Sequence, residues 1–221
     1  SLLSEFYRRA ISSLETAAVY REKIDGFAST IQTGPNELER LRAEIRRASA
    51  VGPSAPLASQ RLPLAEIELQ LQKAEADRAA EEARLAELKA RADKERNRPI
   101  KIRERLSRVR GQIVENGSQP VAASGEGQTP EVATARRWTK EAELELWRTE
   151  VLMLEQDLAS HPMRLQLLQA RLDLSEIELA SLQRQVRQLE AAANVQRLAD
   201  AEQIKLDAQV AERAAASKHP V

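Results

Sequence analysis

Apolar residues recur at alternating steps of three and four along the last third of the chain. Counting in sevens from Leu144 reaches Val151, Leu158, Leu165, Leu172, Leu179 and Val186. Three residues further on in each heptad stand Trp147, Leu154, His161, Leu168, Ser175, Leu182 and Leu189. This spacing forms a narrow apolar stripe along one side of an α-helix, the seam of a coiled coil. The pattern therefore predicts a long helix that packs lengthwise on other helices.

The same test finds two further helices upstream. Residues at seven-residue intervals from Leu3 are Ala10, Ala17, Ile24, Ile31, Leu38 and Ile45. Further apolar residues of the same stripe are Phe6, Tyr7, Leu14, Phe27 and Leu41. Sevens from Leu64 give Leu71, Arg78, Leu85, Ala92, Pro99, Leu106 and Ile113, with Ile67, Ala74, Leu88, Ile102 and Val109 alongside. We therefore predict helices at about 2–50, 63–115 and 131–216, joined by polar loops at 51–62 and 116–130, in one helical domain spanning 1–221.

Each predicted helix contains one internal proline: Pro35, Pro99 or Pro162. A proline removes a hydrogen-bond donor and clashes with the preceding turn, at a cost of about 3 kcal/mol in a helix interior. The heptad frame persists across all three prolines, which favours helices that are continuous but kinked. The sequences Gly34-Pro35-Asn36-Glu37 and Ser160-His161-Pro162 resemble helix starts and favour a break.

The predicted fold class is all-α. Short connections between long helices place sequence neighbours antiparallel, and helices of this length would extend about 75 Å at 1.5 Å per residue. We expect an elongated antiparallel coiled-coil-like bundle of three long helices, kinked or broken at the prolines. The prolines stand 64 and 63 residues apart, which fits either a degenerate repeat of helical units or the regularity of any heptad sequence.

The heptad frame that begins at Leu144 does not stay apolar to the end of the chain, because the next seam positions at seven-residue intervals are Asp200 and Asp207. Carboxylates cannot line a dry seam without a large desolvation cost. The apolar residues that remain there are Leu198, Ile204, Leu206 and Val210. Residues from about 195 onward are therefore predicted to project as a bare helix, to fray, or to pair with another copy.

Composition agrees with exposed helices rather than with a globule, since 31% of residues are charged and 3% are aromatic. Lys and Arg together number 34, as do Asp and Glu, so the net charge is zero and no nucleic-acid partner is expected. One basic cluster is an exception, and it fits either an anionic partner or a solvated helix face: Arg96, Arg98, Lys101, Arg103, Arg105, Arg108 and Arg110.

No arrangement of side chains indicates catalysis. The chain has no cysteine, and its two histidines, His161 in the seam and His219 near the end, lack a second ligand at helical spacing. No strained serine turn or glycine-rich phosphate loop is present in the sequence, and Trp138 and Trp147 fit packing positions. We predict no catalytic, cofactor-binding or metal-binding residue, no enzymatic activity and no cofactor.

No run of residues approaches the roughly 20 apolar residues that a membrane span needs. The sequence therefore predicts no direct membrane insertion of this chain. It also lacks an initiator Met and a signal peptide. We expect it to be a piece of a longer protein that carries targeting or membrane segments elsewhere.

The third predicted helix resembles a known family. Glu/Leu heptads from Glu143 to Leu158 are followed by the polar break Ser160-His161-Pro162, by the segment Leu167-Leu168-Gln169-Ala170-Arg171-Leu172-Asp173, and by a further heptad run from Ile177 to Leu189. Upstream, Gly34-Pro35-Asn36-Glu37-Leu38 and Glu95-Arg96-Asn97-Arg98-Pro99 continue the pattern over nearly the whole chain. It resembles the N-terminal periplasmic helical region, the so-called porin domain, of the large mechanosensitive channels of small conductance of the KefA or potassium-efflux type.

The resemblance implies a periplasmic location, as the extramembrane part of a bacterial inner-membrane protein that forms heptamers and releases solutes after osmotic shock. It implies a non-catalytic regulatory or spacer module. The partners would be the rest of the channel subunit, neighbouring subunits, and periplasmic or cell-wall components. No pore-lining or tension-sensing residue of the family lies in this stretch.

A second interpretation is a free-standing structural or adaptor coiled coil, for example a hairpin like those of efflux adaptors or a scaffold protein. Such a hairpin has two equal arms, and three helices of unequal length fit it poorly. Membrane spans elsewhere in the reading frame would distinguish the two interpretations.

Overall fold

The structure, a computed structural model, describes residues 2–50, 62–118 and 129–218. These contain three α-helices, α1 (Leu2–Ala50), α2 (Leu64–Ser118) and α3 (Pro130–Lys218), and no strand. The all-α class with three long helices is thus confirmed. The predicted helix boundaries differ from these by at most three residues. The difference is largest at the end of α2, where residues 116–118, predicted as loop, are helical; loop residues 51–61 and 119–128 lie outside the described part.

Local capping explains where α2 and α3 begin. The carbonyl oxygen of Pro63 accepts hydrogen bonds from the backbone N–H groups of Glu66 and Ile67, at 3.0 and 3.2 Å. The carbonyl of Thr129 does the same for residues 132 and 133, at 3.1 and 3.2 Å. Pro130 then occupies the first helical position, where its missing N–H costs nothing and its fixed φ suits the helix.

All three helices continue through their internal prolines. Pro35 lies inside α1, Pro99 inside α2 and Pro162 inside α3. Of the two alternatives predicted from the sequence, a broken helix therefore does not occur. Each proline still leaves the carbonyl four residues earlier without its helical donor. Packing against the other helices offsets that loss.

The chain divides into two compact units, and each of the three helices contributes to both. Unit 1 combines Ser1–Leu41 with Ala90–Ala170, and unit 2 combines Arg42–Lys89 with Arg171–Val221. All three internal prolines belong to unit 1.

In unit 1, α1 and α3 run in the same direction, whereas α2 runs opposite to α3. Residue numbers increase along both α1 and α3 from one contact to the next: Phe6 meets Thr139, and Arg21 meets Glu145. Contacts between α2 and α3 run in opposite senses, so that α2 residues 98 and 105 meet α3 residues 157 and 150. A core cluster forms where the helices meet: Ile102, Leu106, Met153 and Leu154, with Tyr20, Ile24, Phe27, Val151 and Leu158 packed against it.

The predicted frames match the observed burial with few exceptions. Every seam position named above from Leu144 to Leu189 on α3, and from Leu64 to Ile113 on α2, is buried or half-buried. On α1 the frame is wrong at two positions, since Leu14 is 49% exposed and Ile31 is 40% exposed.

α3 buries a second stripe that the apolar pattern did not predict. It also repeats in sevens, and its buried members in unit 1 are Ala135, Thr139, Ala142, Thr149, Met153, Ser160, Leu167 and Ala170. Six of these eight residues are alanine, threonine or serine, whereas a heptad search looks for large apolar residues. Thr139 shows which helix this stripe meets, because its Oγ1 lies 2.9 Å from the carbonyl oxygen of Phe6 in α1. α3 therefore carries two seams.

A close approach of α1 to α3 depends on Gly34, which is buried. A Cβ atom on Gly34 would lie 2.4 Å from Met163 Cγ, 2.8 Å from Met163 Sδ and 3.8 Å from Leu167 Cδ1. Real Cβ atoms essentially never come within 3.0 Å of a heavy atom to which they are not covalently connected through nearby backbone. The absence of a side chain at this position therefore lets Met163 pack against the backbone of α1.

Unit 2 has its own core between α2 and α3, which again run in opposite directions. The cluster contains Ile67, Ala74, Val186, Leu189 and Ala193, with Leu62, Leu64, Leu71 and Ala192 packed against it. Arg197 Nη2 donates to Glu68 Oε1 at 2.8 Å, beyond the last buried residue of α3. Both seam columns of the predicted frame thus reach the core of this unit.

Beyond residue 200 the last part of α3 is a helix with exposed side chains. The sequence predicted that residues from about 195 onward would project as a bare helix, fray or pair with another copy, and the bare helix is the alternative that the structure shows, starting a few residues later. The helix extends to Lys218, and every described side chain from 201 to 214 is exposed. The large apolar residues of this stretch and of the turn before it include Val195, Leu198 and Ile204, each 68% exposed, and Val210, 65% exposed. Glutamines bond to aspartates one turn later, Gln196 to Asp200 at 2.8 Å and Gln203 to Asp207 at 2.9 Å.

Substituting Gly34 by leucine should lower the free energy of unfolding by about 1–3 kcal/mol, because the new side chain would overpack the site filled by Met163. Gly26 is the matched control, since it lies in the same helix and a Cβ there would meet nothing within 4 Å. Gly26→Leu should raise stability, by up to about 1 kcal/mol, through better helix propensity. Thermal denaturation measures both, and equal shifts would contradict the close approach.

Leu189→Ala should destabilise unit 2 by about 2–5 kcal/mol, because Leu189 is 1% exposed and its loss leaves a cavity. Leu198→Ala makes the same chemical change nine residues later at a side chain that is 68% exposed. Its effect should stay within about 0.5 kcal/mol. Urea unfolding of the two variants would measure the difference. Comparable losses would show that the end of α3 has a partner in solution.

Candidate functional site

Charged and polar side chains are buried in unit 1 around the proline of α3. Asp157 is 3% exposed, Ser160 is fully buried, and Glu95 of α2 is 9% exposed. His161 and Arg164 complete the group, with side chains 14% and 18% exposed. We call these five residues the polar cluster. Burial of ionised groups is costly unless each is paired and hydrogen-bonded, so the contacts within the cluster decide what it does.

Arg164 is the centre of the polar cluster. Its Nε donates to Glu95 Oε1 at 2.8 Å, and its Nη2 lies 2.6 Å from the same oxygen. Nη2 also donates to Asp157 Oδ1 at 2.6 Å, and Nη1 donates to Ser160 Oγ. Its guanidinium carbon lies 5.2 Å from the centroid of the Phe27 ring of α1, within cation–π distance. One side chain of α3 thus contacts both of the other helices.

The two carboxylates have further partners. His161 Nδ1 lies 3.0 Å from Glu95 Oε1. Arg98 of α2 donates from Nε to both oxygens of Asp157, each at 3.0 Å, and from Nη2 to Oδ2 at 2.7 Å. The hydrogen bond to Asp157 raises the pKa of Arg98 above its usual value, against the opposing effect of burial. Planar guanidinium–carboxylate pairs of this kind combine charge with fixed geometry.

A second arginine–carboxylate pair lies two turns away. Arg105 of α2 donates from Nε to Glu150 Oε1 at 2.6 Å and from Nη2 to Oε2 at 2.9 Å. The hydrogen bond to Glu150, which is 5% exposed, raises the pKa of Arg105. Burial, followed by the charge of Glu150, raises the pKa of Tyr20, while the charge of Arg105 lowers it. The two pairs repeat after seven residues on both helices and so fix the register of α2 against α3.

Unit 2 carries a smaller polar group built from Glu81, Arg84, Ser175 and Glu178. Ser175 Oγ donates to Glu81 Oε1, and Arg84 Nη1 lies 3.4 Å from Glu81 Oε2 and 3.3 Å from Glu178 Oε2. Burial, followed by the charge of Glu81, raises the pKa of Glu178, while the charge of Arg84 lowers it. This group also connects α2 to α3.

The side chains of the polar cluster bind one another and neighbouring groups of the same chain. The Arg164 guanidinium already occupies the space between the carboxylates of Glu95 and Asp157, where an added cation would have to bind. Ser160 Oγ is inaccessible and donates to the carbonyl oxygen of Asp157 at 3.1 Å. No group of three or more acidic or histidine side chains among the described residues could hold a metal ion. Over the same residues, none of the helices has the length and apolarity required to cross a bilayer.

The residues singled out from the sequence fall into different environments. His161 lies half-buried at its predicted seam position, and its Nδ1 is 3.0 Å from the Glu95 carboxylate. Trp138 is 47% exposed, and its ring centroid lies 5.9 Å from that of Tyr7, which places it at the edge of the α1–α3 interface. Trp147 is half-buried, and His219 lies outside the described residues.

The structure separates the basic cluster of α2 into three kinds of side chain. Arg98 and Arg105 point inward to the buried carboxylates described above. Arg96 pairs with Asp93 at 2.9 Å and Arg110 with Glu155 at 2.7 Å. The others, Lys101, Arg103 and Arg108, are exposed. One of the two interpretations from the sequence was a solvated helix face, and it is wrong for two of the seven basic residues, Arg98 and Arg105.

The apolar pattern did not predict the polar cluster, although one of its residues gives a signal in the sequence. Glu95 stands at a seam position of the frame that begins at Leu64, four heptads after Ile67. A carboxylate at a seam position predicts a buried partner on the facing helix. Asp157 and Arg164 gave no such signal, because they lie outside the apolar frame of α3.

Comparison with known proteins identifies one family. The family described as "Mechanosensitive ion channel porin domain" matches residues 1–221, the full length of the chain. No curated protein and no solved structure matches the chain.

Replacing Arg164 by methionine should destabilise the protein by about 3–5 kcal/mol, because it leaves the buried carboxylates of Glu95 and Asp157 without their shared cation. Adding Glu95→Gln to Arg164→Met should recover part of that loss. Arg21→Met is the matched control, since Arg21 pairs with Glu145 at 2.7 Å but is 57% exposed, and its loss should cost no more than about 1 kcal/mol. Equal losses in denaturant unfolding would contradict a central role for Arg164.

Proposed function

The chain belongs to the mechanosensitive ion channel porin domain family, and from this premise we propose that it is a non-catalytic, periplasmic regulatory or spacer module of such a channel. In this proposal the module is the extramembrane part of a bacterial inner-membrane protein that releases solutes after osmotic shock. Its partners are the rest of the channel subunit and the neighbouring subunits of a heptamer. Periplasmic and cell-wall components are further candidate partners.

One observation carries the non-catalytic part of the proposal. All three buried carboxylates among the described residues, Glu95, Glu150 and Asp157, bind an arginine of another helix. Acid–base or nucleophilic chemistry requires a group that reaches a substrate with a free proton or lone pair. Carboxylates that are fully engaged in joining helices instead support a mechanical or spacing role.

Two observations support a role within a larger assembly. The bare end of α3 exposes apolar residues that have no partner among the described residues, and such surface is typical of contact sites. The described residues form three helices of unequal length, with 49, 55 and 89 residues. A free-standing adaptor hairpin, the alternative, would have two equal arms.

The regulatory role is tested in the full-length subunit, expressed in bacteria that lack their own mechanosensitive channels. We expect the native subunit to raise survival after osmotic downshock and to give stretch-activated currents in membrane patches. Arg164→Met should change the tension at which the channel opens while its single-channel conductance stays the same, because this residue joins helices and lines no pore. Arg21→Met should leave both unchanged.

Three outcomes would contradict the proposal in different parts. If the reading frame encodes no membrane span, or if the subunit gives no stretch-activated current, the channel assignment fails and the free-standing alternative is favoured. If Arg164→Met opens at the native tension although its domain is destabilised, the module is a passive spacer. If Arg21→Met and Arg164→Met shift the threshold equally, the effect does not come from the polar cluster.

The periplasmic location has a direct test, because the chain contains no cysteine. Lys205→Cys places a thiol on an exposed turn of the bare end of α3, and Ser175→Cys places one at a site that is 1% exposed. A maleimide that crosses a permeabilised outer membrane but not the inner membrane should label the first and spare the second. Labelling of Lys205→Cys only after lysis of the inner membrane would place the module in the cytoplasm.

A further inference from the structure

The outward face of α2 in unit 1 has a charge pattern that neither the fold nor the proposed function explains. Four members of the basic cluster are neutralised by acidic partners, as described above. Lys101, Arg103 and Arg108 have no hydrogen bond or ion pair among the described residues. All three are exposed. The chain as a whole is neutral, so this local excess is not a consequence of a basic composition.

Exposed apolar residues accompany these three basic residues. Ile100 is 58% exposed and Val114 is 69% exposed. They stand fourteen residues apart, which places them on the same side of a helix that repeats every seven residues. By the same periodicity, Lys101 and Arg108 form a neighbouring column, and Arg103 lies on the opposite flank of Ile100.

We call Ile100, Lys101, Arg103, Arg108 and Val114 the α2 basic face. Its apolar residues lie between two basic flanks. Two exposed acids accompany it: Glu104, and Glu115, which follows Arg108 by seven residues in the same column. Nothing in the packing of the three helices requires this arrangement, because none of the five side chains contributes to either core cluster.

We propose that the α2 basic face binds peripherally to the surface of a bilayer that contains anionic phospholipids. Lys and Arg are attracted to the phosphates of such a surface, and exposed apolar side chains reach the boundary between headgroups and acyl chains. The long stems of Lys101, Arg103 and Arg108 let their charged ends stay at the headgroups while the helix lies against them.

A lipid surface fits this face better than an acidic polymer. A polymer of carboxylates or phosphates would engage the three basic side chains but would leave Ile100 and Val114 in water. A bilayer surface satisfies both kinds of side chain in one contact. The inference rests on the proposed function in one respect only, namely that the domain lies beside a membrane.

The binding experiment uses the 221-residue chain and sedimentation with vesicles. The probe is an equal mixture of phosphatidylglycerol and phosphatidylcholine, and vesicles of phosphatidylcholine alone are the comparison. We expect binding to the anionic vesicles only, with much weaker binding when salt rises from about 0.1 M to about 1 M and the Debye length falls from about 10 Å to about 3 Å. Each basic residue near such a surface contributes roughly fivefold in affinity.

The triple variant Lys101→Gln, Arg103→Gln, Arg108→Gln should therefore bind about a hundredfold more weakly. The matched control replaces three exposed basic residues of unit 2, Arg184, Arg187 and Lys205, by glutamine and changes the net charge by the same amount. It should bind like the native chain. Circular dichroism should show equal helix content and melting temperature for both variants, since all six side chains are exposed.

A second variant, Ile100→Ser with Val114→Ser, tests the apolar part. It should lower affinity for the anionic vesicles severalfold without changing the salt dependence. Equal binding to both kinds of vesicle, no binding at low salt, or equal losses in the triple variant and its control would each overturn the proposal. Native vesicle affinity of the serine variant would also overturn the proposal. It would show that only the basic side chains contribute to binding, as expected for a surface that binds an acidic polymer. These outcomes are independent of channel gating, so the proposed function and this inference fail separately.

Discussion

The arrangement of unit 1 depends on the burial of one guanidinium between two carboxylates. Arg164 contacts Glu95 of α2 and Asp157 of its own helix, and it also lies over the Phe27 ring of α1. Moving any one of these charges out of place would leave another buried without a partner, which costs more than the network contributes when complete. An apolar seam tolerates a slip of one heptad, because leucine replaces leucine. The polar cluster does not, and it therefore specifies one register among several that the heptads alone would allow.

The internal prolines illustrate how tertiary packing overrides local preference. Each costs about 3 kcal/mol in a helix interior, and nearby sequence resembles a new helix start at two of them. The helices nevertheless continue, because the residues on both sides of each proline lie in one heptad frame. At Pro35 the preceding Gly34 makes close packing with Met163, and Pro162 is flanked by members of the polar cluster. A turn or hairpin at the proline would lose the packing contacts on one side of it, so the continuous helix has the lower free energy.

The sequence was sufficient for most large apolar residues of α2 and α3 and insufficient for the small and charged ones. A stripe of leucines identifies a helix and its buried side, which is why the frames of α2 and α3 match the observed burial. The second seam of α3 was not predictable in this way, because threonine, serine and alanine, as at positions 139, 160 and 170, also occur on exposed helix surfaces. Charged positions were the least predictable. Asp157 and Arg98 have ordinary helix-surface sequence contexts, and only the neighbouring helix, which a single frame does not describe, shows that they face each other.

The bare end of α3 differs from an isolated peptide of the same sequence. An isolated helix must first form a nucleus, which is improbable in water, and a short one is therefore only marginally helical. Here the packed turns before residue 194 act as a permanent nucleus, so each further residue has only to propagate an existing helix. Its end in solution is then a distribution of lengths that shifts with temperature, rather than a fixed boundary. A partner that binds this segment would select among helix lengths that are already populated. The conformational entropy lost on binding is then that of a fraying helix end, which is smaller than that of an unfolded chain.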